Sequence, residues 1–425
     1  MSTSASPLAD SRSVGMEPVE PQNRILTLDI IRGLGVLGML LVNIESFAMV
    51  TVDRTVPVAS GDKEPANLAI WFLTHVCADG RFMTVFSLLF GAGICMMSHR
   101  SERKAIDPRP AHFRRMGFLI LIGMLHAHLL WSGDILFAYG VCGSVCWFLR
   151  RLSPARLLAS GAFFLSIGSV VSWNAWSSQN GFLVELYQVV KEYLHIPQAS
   201  STAGEMLIYR GGWFEQMARR APEAFNAELI AFWLLNFWRI SGVFLLGMAL
   251  FKSGFLIGAL RKGAYRAALA LAAAASLVSA SVGYVELLAD TPSANSVFVD
   301  FVVNYWLSLP IGIGWISIGI VLAKNDSLTP VRTALQSVGR MAFTNYILQT
   351  LFCTTLFYGH GFGLFGYLDR MRLLGIVVLI WTVEIIGSHI WLRYFAFGPI
   401  EWLQRYVAYW RRPTACLPPA TATAL

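Results

Sequence analysis

Few residues in this chain combine a reactive side chain with an apolar setting, and two pairs of them share one spacing. Ten residues separate Arg32 from Asn43, and ten separate Arg115 from His126. On a helix, eleven steps of about 1.5 Å place the amide and the imidazole about 16 Å beyond their arginines. An imidazole at that depth can serve as a general base, and an amide beside it can donate to a developing oxyanion. Each residue also has a plainer role open to it. Asp29 and Arg32 lie three apart and can neutralise each other on one helix face, or Arg32 can reach back to the headgroups. Asn43 can tie two helices together, and His126 can be a satisfied core histidine. His128, two residues on, diverges from His126 by about 200° and cannot share a metal with it. Asp134, following Ser132-Gly133, suits a helix N-cap; its sharper role is to orient His126 or a substrate hydroxyl.

Further polar residues stand inside apolar stretches, where each costs about 2.5–3.5 kcal/mol at a membrane helix centre. Arg239 has Asn236 one turn before it. Arg340, Asn345 and Gln349 follow, the last two on one face, and then Glu384 and His389. The candidate catalytic pair is thus His126 and Asn43. The candidate substrate-binding set is Asp29, Arg32, Arg115, Asp134, Arg239, Arg340, Asn345 and Gln349.

The elements that must position these residues are membrane helices. The chain has 425 residues, 56% hydrophobic and only 14% charged, with a mean hydropathy of +0.56. Soluble proteins carry about a quarter charged residues. The apolar residues come in blocks of about twenty, enough to cross about 30 Å of hydrocarbon. This excludes a secreted disulfide scaffold and a soluble nucleic-acid-binding protein. Ten spans are expected, over 26–50, 69–97, 114–131, 134–150, 156–174, 229–251, 265–288, 297–322, 338–358 and 373–392. Asp79-Gly80-Arg81 interrupts the second. The expected fold is therefore all-α and polytopic.

Every second connection is basic. Arg100, Arg103, Lys104, Arg109, Arg114 and Arg115 crowd the second, and Arg150, Arg151 and Arg156 follow the fourth span. Such alternation implies one orientation, with both termini cytoplasmic, and accounts for the net charge of +8. The first residues are rich in Ser, Pro and acids without an apolar core, so no cleaved signal peptide is expected, and the chain reads as a multi-pass protein of the plasma (inner) membrane. The expected organisation is a disordered N-terminal segment (1–24), a five-helix half (25–174), an extracytoplasmic or interfacial segment (175–228), a second membrane half (229–412) and a flexible tail (413–425).

No metal or dinucleotide site is expected. The six cysteines contain no Cys-x-x-Cys pair. Gly361-Phe362-Gly363-Leu364-Phe365-Gly366 matches G-x-G-x-x-G literally but follows a membrane span rather than a strand. Walker A, His-Glu-x-x-His and Gly-x-Ser-x-Gly sequences do not occur.

Five ordered motifs carry a resemblance. Leu28-Asp29-x-x-Arg32-Gly33 running to Leu41-Val42-Asn43 is the first, and Phe86-Ser87-Leu88-Leu89-Phe90-Gly91-Ala92-Gly93 the second. Gly123-x-x-His126 through Trp131-Ser132-Gly133-Asp134-Ile135-Leu136 is the third. Gly339-Arg340-Met341-Ala342-x-Thr344-Asn345-Tyr346-x-x-Gln349 and Phe397-Gly398-Pro399-Ile400-Glu401-Trp402 complete the set. Together they resemble the YeiB family of bacterial membrane proteins that carry the domain of unknown function 418. That resemblance implies membership of a superfamily of transmembrane acyltransferases, with the acyltransferase-3 proteins and the lysosomal heparan glucosaminide acetyltransferase as relatives. By the Arg, ten residues, Asn pattern of the heparan enzyme, Arg32 and Asn43 take the motif positions. Where that enzyme has a histidine eleven residues beyond its asparagine, this chain has Arg54.

The resemblance implies acyl-CoA as donor, met by Arg32, Arg115 or the basic connections, and a glycan, lipid or small-molecule hydroxyl as acceptor. In that reading His126 takes the acceptor's proton and Asn43 donates to the oxyanion. The alternatives are a transporter or flippase of the same substrate class, using the buried charges as a route, and a membrane subunit without turnover. The lipid bilayer is the one partner common to all three, and no nucleic acid is expected.

Overall fold

The computed structural model describes residues 25–55, 64–177, 201–288 and 294–410. The N-terminal segment, the C-terminal tail and most of the first half of 175–228 lie outside the described residues. The helices are α1 (Leu26–Ala48), α2 (Thr51–Thr55), α3 (Pro65–Cys77), α4 (Arg81–Arg103), α5 (Arg109–Leu129), α6 (Leu136–Cys146), α7 (Pro154–Ser177), α8 (Thr202–Arg210) and α9 (Trp213–Asn226). A π-helical stretch, Ala227–Asn236, leads into α10 (Phe237–Lys252). Then come α11 (Lys262–Leu288), α12 (Ala294–Ala323), α13 (Thr329–Arg340), α14 (Ala342–Phe357), α15 (Arg370–Tyr394) and α16 (Pro399–Tyr409).

Among the described residues seven helical stretches are long and apolar enough to cross a membrane, so the protein is an all-α polytopic membrane protein. All ten expected spans fall on helices. Three of them rest on shorter or more polar ones, α5, α6 and α14, of 21, 11 and 16 residues. The interruption at Asp79-Gly80-Arg81 is real: α3 ends at Cys77, Gly80 takes a left-handed φ of 69°, and α4 begins at Arg81. The sixth span, expected from residue 229, is part of a continuous helix from Trp213 to Lys252. Within it, α9 closes the end of α5: Arg220 donates to the carbonyls of His128 and Leu130 at 3.0 and 3.1 Å. The G-x-G-x-x-G sequence forms a turn between α14 and α15, with Gly363 and Gly366 left-handed.

Two reciprocal glycine crossings set the helix register. A Cβ on Gly33 of α1 would lie 2.0 Å from the Leu335 carbonyl oxygen, and one on Gly339 of α13 would lie 1.8 Å from that of Asp29. Gly91 of α4 and Gly247 of α10 meet the carbonyls of Phe244 and Leu88 in the same way, at 2.0 and 2.1 Å. Lipid-facing helices gain little from hydrophobic exclusion, so backbone contact of this kind is a main source of cohesion. The first crossing brings Asp29, Arg32 and Arg340 together at the basic end of the bundle. At the other end Arg370, fully buried at the start of α15, donates to Glu45 of α1 at 3.2 Å and to the Asp53 carbonyl at 2.6 Å.

Candidate functional site

A cavity of about 850 Å³ opens at the basic end, between α1, α4, α5, α14 and α16. That volume falls among small-molecule and cofactor sites, which span about 300–1,000 Å³. Seven cations line it (Arg32, Arg100, Arg103, Lys104, Arg115, Arg340 and Arg405) against two carboxylates, Asp29 and Glu401. Both carboxylates are engaged. Asp29 accepts from Arg32 at 2.8 Å. Glu401 of α16 accepts from the N–H groups of Phe343 and Thr344 at 2.7 and 3.1 Å and from the Thr344 hydroxyl at 2.6 Å. It thereby caps α14 from another helix. Burial pushes the Glu401 carboxyl above its ordinary range, opposed by those hydrogen bonds. Arg115 lies with its guanidinium 5.2 Å from the centre of the Phe90 ring and, among the described residues, has no acid partner. Deeper in, the walls are Val36, Met39, Phe86, Leu89, Phe90, Leu119 and Leu136, with Tyr139, Tyr346 and Gln349.

The lining faces of four helices continue below this floor to a cluster of polar side chains. On α1, Arg32, Val36 and Met39 line the cavity, and Asn43 stands one turn further on. On α5, Arg115 and Leu119 line it, and His126 lies two turns beyond Leu119. On α14, Phe343 and Tyr346 line it, and Thr350 comes one turn later. Ile135 and Leu136 line it at the start of α6, just after Asp134.

His126 is 2% exposed; Nε2 has a hydrogen-bond partner, while Nδ1 lies close to a carboxylate without a formed hydrogen bond. Its Nδ1 lies 3.0 Å from Asp134 Oδ1, and its Nε2 lies 2.9 Å from Thr350 Oγ1. A proton placed on Nδ1 faces that carboxylate and leaves the Nε2 lone pair toward the threonine hydroxyl. Asp134 serves two masters: its Oδ2 accepts from Phe137 N at 2.9 Å, capping α6. Gly123 makes this reach possible, since a Cβ there would lie 2.2 Å from Phe137 N and 2.7 Å from Asp134 Oδ2. The histidine is walled by two aromatic rings. Tyr346, which also lines the basic cavity, has its ring centre 5.3 Å away, and that of Trp131 is 6.3 Å away.

Trp131 in turn lines a second cavity of about 240 Å³ at the opposite end. Its other walls include Ser46, Arg54, Glu205, Tyr209, Arg219 and Glu223. Glu205 accepts from the Thr51 N–H and hydroxyl at 3.1 and 2.9 Å, and Arg219 pairs with Glu223 at 2.7 Å. His126 is therefore in ring contact with one lining residue of the large basic cavity and one of the small polar cavity.

Of the remaining sequence candidates, Arg239 and Asn345 lie elsewhere. Arg239 is buried against α12, donating to the Tyr305 carbonyl and the Ser308 hydroxyl at 2.8 and 2.7 Å. Asn345 ties α14 to α15 and α13 through Ser388 and the Val338 carbonyl, at 3.0 and 3.3 Å. Neither lines either of these two cavities. Gln349 does, and it also donates to Glu384 at 3.0 Å and the Val36 carbonyl at 3.3 Å. Arg340 lines the mouth and donates to the Ala396 carbonyl at 3.3 Å. Asn43 is half-buried, lines neither cavity and forms no hydrogen bond with His126 among the described residues. Tyr346, Thr350, Trp131 and Glu401 were not singled out by residue type. Tyr346 and Glu401 lie inside motifs named above, and Thr350 directly follows one.

Residues 250–411 match the model of a family described as a protein of unknown function, DUF418. The match takes in Arg340, Tyr346, Thr350 and Glu401. Over 386 residues the chain is 34% identical to the uncharacterized protein YeiB of Escherichia coli strain K12, covering 90% of this chain and 95% of that protein. Over 424 residues it is 29% identical to the uncharacterized protein YxaH of Bacillus subtilis strain 168, covering 93% and 96%.

Proposed function

The chain belongs to the YeiB-like DUF418 family, and on that premise we propose that it is a membrane acyltransferase. It moves an acyl group from acyl-CoA, entering the basic cavity from the cytoplasm, to a hydroxyl of a glycan, lipid or small molecule that reaches the opposite face of a bacterial inner membrane. The observation that carries this reading is the station of His126 between Tyr346 of one cavity and Trp131 of the other. Cationic side chains at the mouth suit the phosphates of a CoA thioester, and charge-assisted bonds of that kind are the strong ones. Arg115 is the foremost of them, because no acid in the described structure competes for it. The apolar depth suits the acyl chain.

In this mechanism Asp134 holds the imidazole in the tautomer whose Nε2 can take a proton. Asn43, one turn beyond the cavity wall, supplies the donor for the oxyanion. Closing both approaches with aromatic rings keeps water from the thioester and strengthens each electrostatic contact inside.

The test is thermal unfolding of the purified protein in detergent with acetyl-CoA, free CoA or ATP. A ligand at a hundredfold its Kd stabilises by about 2.7 kcal/mol. Acetyl-CoA should raise the unfolding temperature more than ATP does, and His126→Gln should keep that response while losing transfer of labelled acetyl groups. Solute flux in proteoliposomes without any acyl-CoA response would overturn the enzyme in favour of a transporter.

A further inference from the structure

We propose that transfer runs by double displacement, with Thr350 as the acyl carrier. This rests on the acyltransferase reading and says how the group crosses. The two cavities share no lining residue. A one-step transfer needs the thioester and the acceptor hydroxyl together at His126 Nε2, yet that nitrogen already faces Thr350 Oγ1 at 2.9 Å. The arrangement Asp134, His126, Thr350 has the form of orienter, base and nucleophile: 3.0 Å from carboxylate to Nδ1 and 2.9 Å from Nε2 to hydroxyl. The hydroxyl has one other hydrogen bond, to the Tyr346 carbonyl at 3.4 Å. Thr350 stands one turn beyond Tyr346 on the face of α14 that lines the basic cavity.

The chemistry balances without a further reactant. Thr350 Oγ attacks the thioester carbonyl carbon as its proton passes to His126 Nε2. The C–S bond breaks, the sulfur takes that proton, and CoA leaves as the free thiol. The acyl group is now a threonine ester. The acceptor hydroxyl, arriving past Trp131, gives its proton to Nε2 and attacks the ester carbon. The C–Oγ bond breaks and Thr350 Oγ recovers the proton. Thr350 and His126 are 1% and 2% exposed, so water is kept from the ester between the two halves.

The experiment uses the full-length protein in detergent with acetyl-CoA labelled in the acetyl group, and no acceptor. The expected result is a single burst of CoA thiol and a stable acetyl adduct on the peptide holding Thr350. Thr350→Ser should form the adduct, while Thr350→Val should form none yet remain thermally stabilised by acetyl-CoA. The proposal is overturned if acetyl-CoA stabilises the wild type but thiol appears only once an acceptor is added. An adduct on another residue, or wild-type turnover by Thr350→Val, overturns it too. If acetyl-CoA neither stabilises nor labels the protein, the acyltransferase reading itself fails and this one with it.

Discussion

Asp134→Asn separates what Asp134 does for the fold from what it does for His126. Its Oδ2 caps α6 through Phe137 N at 2.9 Å, while Oδ1 stands 3.0 Å from His126 Nδ1. Asparagine caps a helix about as well as aspartate, so the fold should lose no more than about 0.5 kcal/mol. With its amide oxygen still on Phe137 N–H, the new side chain turns its NH2 toward Nδ1. The imidazole must then accept at Nδ1 and carry its proton on Nε2, where it donates to Thr350 and cannot act as a base. Removing a general base costs about 10²–10⁴ in rate, or about 2.7–5.4 kcal/mol of barrier. Asp134→Ala behaves differently. It leaves the cap empty, at about 1 kcal/mol, and removes the carboxylate that stands beside the buried ring nitrogen. The assay pairs thermal unfolding in detergent with acyl transfer from acetyl-CoA. The asparagine variant should unfold near the wild type yet transfer at least about 100-fold more slowly, and the alanine variant should fall in both. Wild-type transfer by Asp134→Asn would refute the tautomer argument and remove His126 as the base.

Other perturbations test the scaffold and the mouth. Gly339→Ala places a Cβ 1.8 Å from a backbone oxygen of α1, so the helices must part; a loss at or above the about 1–3 kcal/mol of ordinary overpacking is expected in detergent unfolding. Gly375→Ala, which meets nothing within 4 Å on α15, is the control and should lose no stability. Arg115→Met should leave unfolding unchanged but weaken acetyl-CoA binding about 10–100-fold, the worth of a hydrogen bond to a charged group; unaltered affinity in a titration would place the phosphates elsewhere. Because the Glu401 carboxyl is held above its ordinary range when folded, its contribution to stability falls as pH rises from the ordinary carboxylate value through the raised one. Glu401→Gln should lack that component, so the wild type should lose ground to the variant with rising pH in paired melts; parallel curves would refute it.

The helices were legible because their apolar blocks match the thickness of a bilayer, and the break at Gly80 because a charged turn interrupts one block. The spacing of Arg32 to Asn43 and of Arg115 to His126 was legible too, since eleven steps is close to three whole turns and keeps both ends on one face. What those faces meet was not. Thr350 lies 224 residues from His126, and a threonine in an apolar helix usually bonds its own preceding turn, so residue type carried no signal. Glu401 caps α14 through Thr344, 57 residues earlier in the chain, a pairing that exists only once α16 has folded across the basic end. Arg239 and Asn345 looked like Arg32 and Gln349 in sequence; only packing distinguishes a side chain tied to a neighbouring helix from one lining a cavity.

That distinction also bears on why His126 reads as more than a satisfied core histidine. Asn345 with Ser388, and Arg239 with Ser308 and the Tyr305 carbonyl, are polar contacts that join neighbouring helices. Each could be replaced by apolar packing without changing what the surrounding cavity can hold, and each is explained by cohesion alone. The His126 cluster joins α5, α14 and the turn before α6, which Gly123 already lets approach. Cohesion there would be served as well by a methyl group as by an imidazole whose two nitrogens need two different partners. A carboxylate 3.0 Å from one nitrogen and a hydroxyl 2.9 Å from the other give the ring the surroundings of a base. The ring also touches Tyr346 and Trp131, which line two separate cavities, and a purely structural histidine requires neither.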